Sequence, residues 1–170
     1  MSLDDIWDGD FVMSCASSSA REVASAIRNG ANVNAKTDGD WTPLMMAAAN
    51  NIDPEVLRVL INAGAIIDAK NVRPAGETAL WLAVERNTFD VVKVLIDAGA
   101  NVNAVDKYGY TVLMIAAEVG TPQVVGALLD AGANAMLKSN DGWTALDCTR
   151  HNSRLLGTDA LERLKRATHG

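Results

Sequence analysis

The sequence predicts an all-α protein, a stack of short helix–turn–helix units joined by hairpin-like loops. A Gly-Ala pair recurs with gaps of 34, 35 and 33 residues, beginning at Gly30, Gly64, Gly99 and Gly132. A threonine followed two positions later by leucine keeps the same period, at Thr42, Thr78, Thr111 and Thr144. Two apolar helical segments per unit at this period are typical of a helical solenoid, whose working part is an extended surface.

One unit, residues 106–137, shows how each element is specified. Asp106 and Gly109 predict a tight turn in which the glycine takes a positive φ. Thr111 is placed to cap a short first helix, and Thr121-Pro122 begins a second helix as N-cap and first turn. Gly120 is expected to end the first helix in the left-handed conformation, and Gly132 to end the second.

The other units repeat this pattern with different residues. Asn51 and Asn87 stand where Gly120 stands. Because asparagine tolerates a positive φ better than most residues, the pattern predicts a left-handed conformation at all three positions. Asp53-Pro54 matches Thr121-Pro122, and valine and leucine recur along each second helix, as at Val56 and Leu60.

These motifs resemble those of the ankyrin-repeat family over about residues 11–165. The helix openings read TPLMMAAA (42–49), TALWLAVE (78–85), TVLMIAAE (111–118) and TALDCTRH (144–151). The exits read GANVNA (30–35), GAIIDA (64–69), GANVNA (99–104) and GANAML (132–137). The resemblance implies an L-shaped stack in which inner helices and hairpin tips line a concave groove.

The chain departs from the family pattern in three ways. The histidine that often follows Thr-Pro-Leu is replaced by Met45, Trp81, Met114 and Asp147, so loop polar groups need other partners. The segment KNVRPAGE (70–77) holds two more residues than the corresponding loops, which predicts a longer, proline-stiffened finger. One further residue is inserted between the helices near 50–53.

We expect a single domain over 1–170, with three full repeats between two capping units. The predicted bounds are 10–36 for the N-terminal cap, 37–71, 72–105 and 106–138 for the repeats, and 139–168 for the C-terminal cap. In the first cap Phe11, Val12, Cys15, Val23 and Ile27 should face inward. In the last cap Leu155, Leu156, Leu161 and Leu164 should cover the stack.

Composition and charge exclude several classes of protein. The net charge of −6 and the absence of a basic run argue against a nucleic-acid ligand. No apolar run reaches the ~20 residues of a membrane span, and the acidic opening MSLDDIWDGD does not resemble a signal peptide, so we expect a cytoplasmic protein. Cys15 and Cys148 fall in opposite ends of the predicted stack, too far apart for a disulfide.

The sequence offers no catalytic or metal site. Cys148 and His151 could share a helix face, but zinc needs three or four ligands. Cys148 is therefore interpreted as a core residue and His151 as a surface residue. No nucleophile triad, phosphate-binding loop or carboxylate pair is present. We accordingly predict a non-enzymatic protein with no cofactor.

The aromatic residues are the best candidates for a binding site. Trp41, Tyr110 and Trp143 precede the repeat threonine at the base of each hairpin, and Glu77 fills that position in the third unit. Tyr108 lies near a hairpin tip, and Trp81 occupies the position of the family histidine, where packing is the favoured role. Exposed rings in register would form a patch suited to binding. With the charged neighbours, the predicted partner-binding set is Trp41, Trp81, Tyr108, Tyr110, Trp143, Arg73, Glu77 and Lys107.

The leading hypothesis is a protein-interaction module that holds a protein or an extended peptide in an aromatic-rich groove. The alternative is a structural protein that assembles with copies of itself. We expect a monomer or a weak homo-oligomer.

Overall fold

Paired short helices follow the predicted repeat throughout the computed structural model. The structure describes residues 3–72, 75–86 and 88–169, with side chains described for 8–72, 75–86 and 88–168. The chain divides into two compact parts, each larger than a single repeat. We call Met1–Ala100 the first unit and Asn101–Gly170 the second unit. Within the described residues the regular structure is helical, and strand pairing is limited to an isolated bridge between Val105 and Thr111. The predicted all-α class is confirmed.

The described residues of the first unit form six helices. They are α1 (Leu3–Ser14), α2 (Ala20–Arg28), α3 (Pro43–Asn50), α4 (Pro54–Asn62), α5 (Ala79–Arg86) and α6 (Phe89–Asp97). First helices of the repeats pack on first helices, as α3 does on α5. Second helices pack on second helices, so that α4 lies against α2 and α6. Four leucines of these helices are fully buried: Leu44, Leu60, Leu80 and Leu95.

The second unit follows the same plan. Its helices are α7 (Val112–Val119), α8 (Pro122–Asp130), α9 (Ala145–Cys148) and α10 (Asp159–His169), with 3-10 turns at Thr149–His151 and Ser153–Leu155. Helix α7 packs on α9, and α8 packs on α10. Leu113, Met114, Leu128, Leu155 and Leu164 are fully buried in this core.

The repeat threonines begin the first helices as predicted. The hydroxyls of Thr42, Thr111 and Thr144 accept the backbone N–H three residues on. The residue three positions after the threonine stands where the family has histidine. In two repeats its side chain accepts a hydrogen bond from the backbone N–H of the threonine. Asp147 accepts the Thr144 N–H at 2.9 Å, and the Met114 sulfur accepts the Thr111 N–H at 3.4 Å.

The expected left-handed conformation between the paired helices is wrong. Gly120 is extended (φ −76°, ψ −178°), and so is Asn51 (φ −93°, ψ 126°). Asn87 lies outside the described residues. Glycine is required at 120 for space, since an added Cβ would lie 2.6 Å from the carbonyl oxygen of Ala116. The glycines that end the second helices do have a positive φ, as at Gly64 (93°) and Gly132 (86°).

Asn51 has a different role, which it shares with Asn152. The Asn51 side-chain amide donates to the carbonyl oxygens of Cys15 and Ser18, and its side-chain oxygen accepts the Asp53 N–H. In the second unit the Asn152 amide donates to the carbonyl oxygens of Ala117 and Gly120. Both side chains are buried. Each therefore fastens the turn of one repeat to the turn of the repeat before it, within its own unit.

The capping residues are buried with two exceptions. Phe11, Val12, Cys15 and Val23 are buried as predicted, whereas Ile27 is half-buried. Leu155, Leu161 and Leu164 are buried, but Leu156 is 70% exposed, so its predicted inward orientation is wrong. Leu156 follows a 3-10 turn rather than a continuing α-helix, and this turn breaks the helical period that would have brought it inward.

The loop between the repeats at 37–71 and 72–105 is longer than the others, as predicted. The hairpins at 37–41, 106–110 and 139–143 each close with a bond from the first N–H to the last carbonyl oxygen. The corresponding bond in the longer loop runs from Asn71 to Glu77 (3.1 Å), which encloses two more residues. Arg73 and Pro74 lie outside the described residues, so the stiffening by proline stays a prediction.

Candidate functional site

A short oxygen-bearing side chain organises each hairpin from its first position. The Asp106 carboxylate accepts the N–H groups of Tyr108 and Tyr110, each at 2.8 Å. Thr37 and Ser139 act similarly on Trp41 and Trp143, at 3.3 Å and 3.2 Å. The hairpins therefore hold the backbone of each ring-bearing residue in place without help from a ligand.

The side chains expected to bind a partner differ in how far they are exposed. Tyr108 is 54% exposed and Trp143 is 42% exposed, whereas Trp41 and Tyr110 are half-buried. Lys107 is exposed. Arg73 lies outside the described residues, as does the side chain of Trp7. The rings best placed to meet a partner are therefore Tyr108 and Trp143, both in the second unit.

Glu77 does not lie on an open surface, contrary to the sequence-based expectation. It is 5% exposed, and its carboxylate accepts the side-chain amide of Asn71 at 2.9 Å. The Glu77 N–H donates in return to the side-chain oxygen of Asn71 at 2.8 Å. The extra length of this loop explains the difference, because its turn needs an internal polar partner. Glu77 is thus part of the loop's own framework.

Trp81 packs in the interior of the first unit, the role favoured for it from the sequence. It is 9% exposed, and its backbone N–H donates to the capping hydroxyl of Thr78. The indole Nε1 is buried without a hydrogen-bond partner. Trp81 therefore offers no exposed ring to a partner.

The two hairpins of the second unit are bonded to each other beside the exposed rings. The Asn140 N–H donates to the carbonyl oxygen of Tyr108 at 2.9 Å, and the Asn140 side-chain amide donates to the carbonyl oxygen of Lys107 at 3.3 Å. We call the surface carrying Tyr108, Tyr110 and Trp143 the aromatic face. The hydrogen bonds of Asn140 fix the spacing of the two hairpins that carry the aromatic face.

Each exposed ring of the aromatic face has a cation from the same chain above it. The Lys107 ammonium lies 4.9 Å from the centroid of the Tyr108 ring. The Arg150 guanidinium lies 5.5 Å from the Trp143 ring and 3.7 Å from the Asp147 carboxylate. The sequence-based reasoning missed Arg150, because position 150 lies in a 3-10 turn and the repeat pattern gives no sign that it reaches Trp143.

Burial raises the pKa of the half-buried Tyr110 hydroxyl above its ordinary value, and electrostatic interactions with Cys148, Asp141, Glu118 and Asp106 add to the effect. Asp147 is shifted in the opposite direction. Hydrogen bonds from the backbone N–H and the hydroxyl of Thr144 lower the pKa of its carboxyl group, and Arg150 adds to the effect.

A cavity of about 710 Å³ lies in the first unit, away from the expected binding residues. Helix α1 contributes Asp8, Asp10, Phe11 and Ser14 to its wall. The end of α2 and the loop after it contribute the rest, from Ala26 to Asn32. It contains no exposed aromatic ring, so it does not extend the candidate site.

The described residues were compared with the requirements of a metal site, a reactive thiol and a membrane span. No group of three or more histidine, cysteine or acidic side chains is placed there to hold a metal ion. Burial raises the pKa of the Cys15 thiol to about 12 and that of Cys148 to about 11, so both are neutral at physiological pH. No described helix has the length and apolar character needed to cross a bilayer.

Comparison with known families gives two matches. A model for ankyrin repeats in three copies matches residues 12–106, and a model for ankyrin repeats in many copies matches residues 95–148. Together they extend from the first cap to the helix that carries Cys148.

Curated relatives share the repeats over about half of this chain. "Ankyrin repeat and KH domain-containing protein 1" of Homo sapiens is 32% identical over 97 residues, 57% of this chain and 4% of that protein. "BRCA1-associated RING domain protein 1" of Caenorhabditis elegans is 37% identical over 81 residues, 48% of this chain and 11% of that protein. A "Putative ankyrin repeat-containing protein" of Treponema pallidum is 39% identical over 87 residues, 51% of this chain and 28% of that protein. The matches thus cover less than a third of each of these relatives.

Proposed function

The chain belongs to the ankyrin-repeat family, and from that premise we propose that it is a non-enzymatic protein-interaction module that binds a protein or peptide. Ankyrin repeats are in general protein-interaction modules. The proposed binding site is the aromatic face of the second unit. Trp41 of the first unit, half-buried at the base of its hairpin, is a secondary candidate.

The observation that carries this proposal is the exposure of Tyr108 and Trp143 on hairpins that are already ordered. Tyrosine and tryptophan are enriched at binding hot spots because each buries a large area when it meets a partner. The side chains of Asp106 and Ser139 accept the backbone N–H groups of Tyr108 and Trp143, and the Asn140 N–H donates to the Tyr108 carbonyl oxygen, so the backbone beside both rings is fixed. A partner therefore meets a preorganised surface, and the ordering cost of binding is low.

Selection from a phage-displayed library of random 16-residue peptides tests this proposal. The wild-type protein is compared with the double variant Tyr108→Ala/Trp143→Ala. A matched control, Met136→Ala/Leu156→Ala, removes two other exposed apolar side chains of the same unit. We expect peptides to be enriched on the wild type and the control and lost on the aromatic double variant.

Two results would argue against the proposal. Equal enrichment on the aromatic double variant would place binding elsewhere on the chain. Failure to enrich any peptide, together with a concentration-dependent dimer in light scattering that Tyr108→Ala/Trp143→Ala abolishes, would favour the self-assembling structural protein instead.

A further inference from the structure

The Arg150 side chain indicates which chemical group a partner presents to the aromatic face, an inference that rests on the proposed function. Arg150 is exposed, and its guanidinium lies over the Trp143 ring, 5.5 Å from the centroid. Because a guanidinium is planar and rigid, contact with the ring limits the directions in which its five N–H donors point. The ring therefore orients Arg150 before a partner arrives.

The acidic neighbour of Arg150, Asp147, does not occupy these donors. One oxygen of the Asp147 carboxylate accepts the N–H and the hydroxyl of Thr144, at 2.9 Å and 2.7 Å. The other oxygen lies 3.7 Å from Arg150 Nη2, which is longer than a hydrogen bond. Within the part of the chain that the structure describes, the Arg150 guanidinium donates no hydrogen bond. Its donors are therefore open to a group on a partner.

A carboxylate is the group that matches these donors. Its two oxygens accept two parallel N–H bonds from one guanidinium, a geometry that an ammonium group does not offer. The hairpin at 106–110 adds a second positive charge, because the Lys107 ammonium lies 4.9 Å from the centroid of the Tyr108 ring. The Asn140 N–H bonds the two hairpins together at the Tyr108 carbonyl oxygen. A segment that covers both exposed rings thus meets positive charge at each of them.

The remaining charges limit how acidic the partner can be. Asp141 is exposed in the hairpin at 139–143, and the net charge of the chain is −6. A segment with a run of acidic residues would be repelled as it approaches. Recognition at Arg150 therefore favours a single carboxylate that is flanked by apolar residues.

We propose that Arg150 selects the partner segment by receiving the side-chain carboxylate of one aspartate or glutamate, while Trp143 and Tyr108 contact the apolar residues beside it. Trp143 then has two roles, since it supplies contact area and also orients the guanidinium. Arginine, tryptophan and tyrosine are the residue types enriched at binding hot spots. Arg150 is thus the specificity-determining residue of the aromatic face.

The peptides selected from the phage-displayed library test this proposal. Clones enriched on the wild type should carry aspartate or glutamate at a fixed position relative to their apolar residues. The same selection on Arg150→Gln should lose the acidic position and keep the apolar ones. The matched control is Arg166→Gln, because Arg166 is likewise exposed and 3.7 Å from a carboxylate, that of Asp159, but belongs to helix α10.

A synthetic peptide from the most enriched clone gives the magnitude. Replacing its acidic residue by the isosteric amide, glutamine or asparagine, should weaken binding to the wild type about five- to tenfold. The same replacement should change binding to Arg150→Gln by less than about twofold, since the donors are already gone. Arg150→Lys keeps the charge but does not form the paired bonds, so most of the preference should be lost there too. Arg150 is exposed, so these substitutions leave the core intact.

The outcomes separate this inference from the proposed function. Enriched peptides that depend on Tyr108 and Trp143 but have no fixed acidic residue, or have a basic one in its place, would overturn the carboxylate inference and leave the interaction module standing. Acidic peptides that bind Arg150→Gln as tightly as the wild type would overturn the assignment to Arg150. No enrichment above the aromatic double variant would contradict both proposals.

Discussion

Asn140 donates its backbone N–H to the carbonyl oxygen of Tyr108 at 2.9 Å, so the tips of two successive hairpins are bonded to each other. Gly109 lies directly beneath this contact. A Cβ added there would lie 2.7 Å from the Asn140 side-chain oxygen and 3.0 Å from the Asn140 nitrogen. The bond that spaces the aromatic face therefore depends on the absence of a side chain at 109.

Gly109→Ala should destabilise the protein more than Gly142→Ala. Both glycines have a positive φ, 78° and 86°, so the conformational cost of about 1–2 kcal/mol is shared. Only Gly109 has an added clash, which typically costs a further ~1–3 kcal/mol, since a Cβ at Gly142 meets open space. Urea denaturation of the two variants measures the difference. Equal losses of stability in the two variants would mean that the contact between the hairpins at 106–110 and 139–143 contributes nothing to the free energy of unfolding.

Asn152→Ala should destabilise the protein by about 1–3 kcal/mol. The substitution removes the donors to the buried carbonyl oxygens of Ala117 and Gly120 and leaves them without a side-chain partner. Asn51→Ala removes the corresponding bonds in the first unit and should cost a similar amount. Ser153→Ala, at an exposed neighbouring position, serves as the control in chemical denaturation. If Asn152→Ala and Asn51→Ala lose no more stability than the control, these hydrogen bonds make no net contribution to the free energy of unfolding.

Leu95→Ala should cost about 2–5 kcal/mol in the free energy of unfolding, because it opens a cavity at a fully buried position. Leu156→Ala should cost under about 0.5 kcal/mol, because Leu156 is 70% exposed. Denaturant titrations followed by circular dichroism compare the two. A loss below about 1 kcal/mol for Leu95→Ala would mean that the inward stripe of α6 is assigned incorrectly.

The repeat itself could be predicted from the sequence because local chemistry specifies it. The threonine caps, the prolines that follow the N-caps of α3, α4 and α8, and the glycines that end the second helices each follow from the needs of a helix terminus, and the structure places them as expected. Residue type alone predicts a left-handed conformation at Gly120 and Asn51, but both are extended. Gly120 is needed because a side chain would not fit there, and the Asn51 side-chain amide bonds the preceding turn.

The candidate site was only partly predictable. Repeat phase located Trp41, Tyr110 and Trp143 at the base of their hairpins, but phase says nothing about how deeply each ring packs. Glu77 shares their position and is nevertheless buried, because its longer loop turns the carboxylate toward Asn71. Arg150 could not be found from the sequence, since its approach to Trp143 depends on a turn outside the repeat pattern.

The contribution of Asp147 to stability should disappear in acid. Bonds from Thr144 lower the pKa of this carboxyl group in the folded protein relative to the unfolded chain, where it is about 3.9. The stabilisation is therefore present above about pH 4 and is lost as the pH falls through the lowered pKa. Asp147→Asn should be less stable than the wild type at pH 7, and the gap should narrow on acidification. A gap independent of pH would show that the ionised carboxylate is not responsible.

The most direct test of the central claim is the stability of Tyr108→Ala/Trp143→Ala beside that of Trp81→Ala, measured by urea denaturation under identical conditions. If the two exposed rings serve a partner rather than the core, the double variant should lose about 1 kcal/mol or less. The buried Trp81→Ala should lose about 3–5 kcal/mol. A loss of several kcal/mol in the double variant would contradict the account, because Tyr108 and Trp143 would then be packing residues and the aromatic face would have no anchors to offer a partner.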